Sequence, residues 1–126
     1  MGITNPFAIG AALAMAAAIT VLSVAIGGAE ALLGSTGTYA IAGLSGILDV
    51  DAVSVAMAGS TGNLSPAVAA NGILLAVVVN TVAKAVMAVA TGNNELGRRT
   101  GLVLGAAALA ATIAASLAAG SFPLTR

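Results

Sequence analysis

Polar residues punctuate this chain instead of alternating with apolar ones. Four apolar runs stand out, at about Phe7 to Leu33, Thr38 to Ala58, Ser65 to Thr91 and Glu95 to Ala119. Each is long enough to cross a hydrocarbon core of roughly 30 Å as a helix. The punctuation fits helix ends. Asn5-Pro6 and Ser65-Pro66 each read as an N-cap followed by a proline at the first helical position. Gly34 and Gly92 close the first and third runs, Asn94 opens the fourth, and Pro123 lies just past it. The first run is too long for the apolar part of a signal peptide, and nothing basic precedes it. Short loops join the runs, so consecutive helices are expected to be antiparallel neighbours. The pattern predicts an all-α membrane protein, a single transmembrane domain over 1–126 with four transmembrane helices in an antiparallel bundle.

Composition strengthens this picture. The chain of 126 residues is 60% hydrophobic and 6% charged, too few charges to cover a wet surface, so the bilayer itself is the expected solvent. Net charge is zero, with no basic patch and little aromatic content, which excludes nucleic acid as a partner. Without Cys or His, thiol chemistry, disulfides and the usual zinc and haem sites are excluded. Orientation is weakly specified. Arg98 and Arg99 are expected at one side together with Glu30 and Glu95, and Arg126 at the other with the terminal amine.

Candidate chemistry lies inside the apolar runs. Asp49 and Asp51, half of the chain's acidic residues, sit in the middle of the second run. Each costs about 2.5–3.5 kcal/mol at a bilayer centre, so they are expected to face protein, water or an ion. In an antiparallel third helix, a rise of about 1.5 Å per residue places Asn80 at the depth of Asp49 and Lys84 level with Ser45. Asn80 and Lys84 share one helix face, as do Ser45 and Asp49. One reading is structural: Asp49 and Lys84 neutralise each other while Ser45 and Asn80 complete the hydrogen bonds. Asp51 resists it, since two helical residues turn it about 200° from Asp49. Either the helix breaks near "SGILDVD", or Asp51 faces a second surface. A broken helix would suit an ion site, because loosened carbonyls join the coordination. The remaining polar residues read as bland: Glu30 as solvated at a helix end, Asn71 as a second interface contact.

The boxes "GLSGILDVDAVSVAMA", "AANGILLAVVVNTVAKA" and "LGRRTGL" together resemble a membrane domain of unknown function often fused behind MgtC/SapB-type domains, of which this chain would be the C-terminal part. The resemblance implies Asp49, Asp51, Asn80, Thr81 and Lys84 as motif residues, and hints at magnesium or other cation handling.

These readings predict a transporter or channel for a small solute, a divalent cation first, in a prokaryotic cytoplasmic membrane. Ser45, Asp49, Asp51, Asn80, Thr81 and Lys84 would bind the solute, with Asp49 and Asp51 as metal ligands. No cofactor is expected beyond a bound cation of unknown identity, and no enzyme, because Ser45 with Lys84 makes a poor nucleophile–base pair. The alternative is a non-transporting membrane subunit that assembles with or regulates another membrane protein, its Asp/Lys cluster being structural. The expected partners are the lipid bilayer and further copies of the chain, most simply a homodimer, with an antiparallel pair slightly favoured.

Overall fold

A computed structural model describes residues 9–60, 62–91 and 94–121. The expected Asn5-Pro6 cap, Gly92, Pro123 and Arg126 lie outside them. The described chain forms α1 (Ile9–Leu33), α2 (Ser35–Leu48), α3 (Val50–Gly59), α4 (Pro66–Thr91) and α5 (Asn94–Ser121), with no strand among the described residues. Ser65 caps α4 as expected, its Oγ accepting from the Val68 N–H at 3.3 Å.

A single residue joins α1 to α2. Gly34 takes φ +64, the left-handed region that glycine enters without strain. The turn folds so tightly that a Cβ on Gly37 would lie 2.6 Å from the Ala29 carbonyl oxygen.

The second apolar run takes the broken alternative near "SGILDVD" and departs from the expected single span. It forms two helices, interrupted at Asp49, which is extended at φ −151 and ψ 108. The two do not continue in line. Residues 42 and 57 of one straight helix would stand about 22 Å apart. Instead Ala42 and Met57 meet at the same point: a Cβ on Gly72 would lie 3.8 Å from Ala42 Cβ and 2.7 Å from Met57 Cε. The run is thus a helical hairpin with Asp49 at its tip. Its contacts with α4 show the direction. Ala42 meets Gly72, Gly43 meets Leu75, and Gly46 meets Ala76, so α2 runs parallel to α4 while α3 returns antiparallel to it.

The hairpin lies between α1 and α4, and among the described residues α5 packs on α4 alone. Among the described residues the helices form an open row, in place of the antiparallel bundle of four helices the pattern predicts. Its core is small: Ile26 from α1, Ala42 from α2, Val53, Ala56 and Met57 from α3, Leu64, and Ala69 and Ala76 from α4. Among the described residues two helices, α1 and α4, are long and apolar enough to cross a membrane, in place of the four expected. The reversal at Asp49 is the physical reason for one loss, since neither arm of the hairpin has spanning length. It also reorders the ends. The start of α5, with Glu95, Arg98 and Arg99, lies at the opposite end of the row from Glu30.

The exterior is apolar. Leu13, Val24, Leu32, Leu48, Leu102 and Leu117 are largely exposed. Hydroxyls within the helices turn inward to the backbone one turn earlier. Thr20 donates to the Ala16 carbonyl at 2.8 Å, Ser54 to Val50 at 2.7 Å and Ser116 to Thr112 at 2.7 Å.

Candidate functional site at the hairpin tip

Two helix ends meet at the tip. The end of α2 presents carbonyls and the start of α3 presents N–H groups, both lacking partners within their own helices. Asp49 serves both. Its N–H donates to the Ser45 carbonyl at 3.0 Å. Its carboxylate Oδ1 accepts from the N–H groups of Asp51 at 2.9 Å and Ala52 at 3.3 Å. This is an N-cap, and Asp51 lies in the first turn of the same helix, where negative charge meets the positive end of the helix dipole. Two acids in a greasy run are therefore the start signal of a helix.

Asn80 completes the tip from α4. It is 5% exposed, and its Nδ2 donates to the Gly46 carbonyl at 2.7 Å. The backbones approach closely there, since a Cβ on Gly46 would lie 2.7 Å from Ala76 Cα. On the other side of the hairpin, Ser45, Leu48, Asp49 and Ala52 line a groove of about 370 Å³ against Ala17 and Val21 of α1.

The structure therefore sorts the expected residues differently. Ser45 and Asp49 share the α1 side of the tip, and Asn80 reaches it from α4. Thr81 is half-buried and its hydroxyl is spent on the Val77 carbonyl at 2.8 Å. Asp51 and Lys84 are exposed. The expected Asp49–Lys84 pair is not formed, because the carboxylate turns to the start of α3 and Lys84 lies one turn beyond the hairpin. The ion pair found among the described residues is instead Arg99 with Glu95 at 2.8 Å. Asn71, expected at an interface, is exposed. Among the described residues no three acidic side chains converge on a metal position. One chain thus offers a cation Asp49, Asp51 and nearby carbonyls.

Two contacts escape the sequence reading. Gly46 gave no sign that its carbonyl would need Asn80. Glu30, expected in solvent, is half-buried and accepts a hydrogen bond from Thr38, which is fully buried. Their separation of eight residues across a one-residue turn is a signal visible only once the turn is known.

Comparison with known proteins places these residues. A protein of Aquifex aeolicus (strain VF5), named "Uncharacterized protein", is 35% identical over 98 residues. The match takes in 76% of this chain and 43% of the relative, so the chain spans less than half the relative's length. No solved structure matches. The family described as a domain of unknown function, DUF4010, matches residues 1–92, which include α1, the hairpin and α4 but not the "LGRRTGL" segment of α5. The chain belongs to this DUF4010 family.

Proposed function

We propose that this chain is an integral membrane protein that moves a small solute, a cation first, through a polar site at the tip of a re-entrant hairpin. The observation that carries the reading is the interruption at Asp49. Broken backbone inside an apolar protein is tolerated only where protein or a water-lined cavity satisfies it, and it is the usual setting of intramembrane ion sites. The arms, of 14 and 10 residues, have the length of re-entrant segments, not of spans. The apolar exterior and the inward-turned hydroxyls support lipid as solvent. On this reading α1 and α4 cross the membrane, while α2 and α3 enter and leave by the same face.

At the tip, Asp49 holds the two helix ends together and Asp51 supplies a free carboxylate at the start of α3. A cation passing there would meet Asp51, with the carbonyl-rich end of α2 beside it. The expected experiment is flux of metal ions and protons into liposomes holding the purified protein. Asp51→Asn is expected to fold normally and to lose flux. A folded Asp51→Asn protein with full flux would sink the cation site.

A second reading is favoured by one specific observation. The Asp49 carboxylate is already engaged as a cap, so the tip holds together without an ion. A non-transporting subunit would need no more than that. Wild-type protein that is embedded and folded yet carries no flux above empty liposomes would select this alternative.

A further inference from the structure

The hairpin fills only half of the row in which it sits. On α4 the buried stripe Ala69, Gly72, Ala76, Asn80 ends at the tip. Lys84 continues that same face one turn further, yet it is exposed because the hairpin stops short of it. On α1 the same boundary recurs. Ile26 is buried, Ile19 and Leu22 pack against the core, and residues 9–18 are all exposed. Beyond the tip, the first half of α1 and the last turns of α4 thus stand apart, with nothing between them among the described residues. Lys84 is the one charged residue among 9–18 of α1 and 81–91 of α4.

We infer that a second copy of this chain, inverted in the membrane, inserts its own hairpin into this slot, so that Lys84 of each copy pairs with Asp51 of the other. The inference rests on the membrane reading above, and charge and depth carry it further. Lys84 and Asp51 are exposed charges of opposite sign that form no ion pair among the described residues. Taking Asn80 as the level of the tip, Lys84 stands about 6 Å beyond it and Asp51 about 3 Å short of it. A two-fold axis in the membrane plane, passing through the tip, carries Asp51 of the partner subunit to about 3 Å beyond it, within reach of a lysine side chain. The same rotation lays the partner's hairpin along residues 9–18 and covers the exposed Ile9, Leu13 and Met15. It also brings both Asp49–Asp51 tips together at one depth, so neither copy alone completes the site.

The chain has no cysteine, which makes the test direct. A chain with Asp51→Cys and one tag is produced together with a chain with Lys84→Cys and another tag, and membranes are oxidised. A disulfide-linked species bearing both tags, lost on reduction, is expected, because the two positions lie too far apart in depth to meet in a parallel pair. A reporter fused to the C-terminus is expected to signal from both sides of the membrane. Where a cysteine variant fails to accumulate, charge exchange replaces it. Asp51→Lys and Lys84→Asp alone are each expected to give monomer in detergent, and the two combined in one chain to restore the dimer. Embedded protein without the doubly tagged species, a reporter signal from a single side, or a charge exchange that stays monomeric would each overturn the inverted pairing. Release of the protein by alkaline washing would overturn the membrane reading itself, and this inference with it.

Discussion

Asn80 Nδ2 stands 2.7 Å from the Gly46 carbonyl oxygen, a hydrogen bond between α4 and the end of α2 made 34 residues apart in sequence. It occurs where α2 loses its own continuation. In an uninterrupted helix the Gly46 carbonyl would accept from the N–H of Val50. With Asp49 extended, that carbonyl is an orphan of the helix end, and a side-chain amide replaces the missing donor. Asn80 thereby fixes both the depth and the direction of the hairpin against α4.

Removing the amide should therefore weaken the fold. Asn80→Leu leaves a buried carbonyl without a donor, at an expected cost of about 1–2 kcal/mol. Asn80→Asp, ionised, can only accept and should cost more. Thermal unfolding of the detergent-solubilised protein measures both. An Asn80→Leu protein as stable as wild type would show that water satisfies the carbonyl instead.

Close approach at Gly46 gives a second, independent check. A methyl there would press on Ala76 backbone at 2.7 Å, whereas at Gly43 the nearest atom is Leu75 Cδ2 at 3.9 Å. Gly46→Ala is expected to destabilise by about 1–3 kcal/mol, as overpacking does. Gly43→Ala should be neutral or slightly stabilising, since alanine is the better helix former. Equal effects of the two changes in the same unfolding assay would mean that α2 does not lie on α4 as described.

Much of this architecture is legible in the chain's punctuation, and the part that is not has a physical cause. Helix ends at Leu33, Pro66 and Thr91 follow from Gly34, Ser65-Pro66 and the polar turn before Glu95. The possibility of a break near Asp49 is visible in the spacing of Asp49 and Asp51, which cannot serve one partner in a straight helix. What the spacing cannot show is the angle of the break. A bent span and a full reversal have the same apolar pattern and the same cap, and only tertiary contacts, such as Ala42 and Met57 meeting at Gly72, distinguish them. Pairing of Asp49 with Lys84 fails for the same reason. The depth match assumes an antiparallel second run, and once α2 lies parallel to α4 the lysine falls beyond the tip.

The cap reading of Asp49 makes the sharpest separation between structure and function. Oδ1 accepts two backbone hydrogen bonds at the start of α3. Asparagine and serine are comparable caps, and alanine is a poor one. Asp49→Ala is therefore expected to lose about 0.5–2 kcal/mol in thermal unfolding, and Asp49→Asn and Asp49→Ser to lose little. Charge plays no part in that ranking beyond its favourable position at the helix start. If Asp49 also contributes charge to a passing cation, Asp49→Asn should keep stability and lower flux into liposomes, while Asp49→Glu, whose longer side chain caps less well, should do the reverse. Stability and flux that fall together across Ala, Asn, Ser and Glu would assign Asp49 to the hairpin's architecture alone and leave Asp51 as the tip's functional carboxylate.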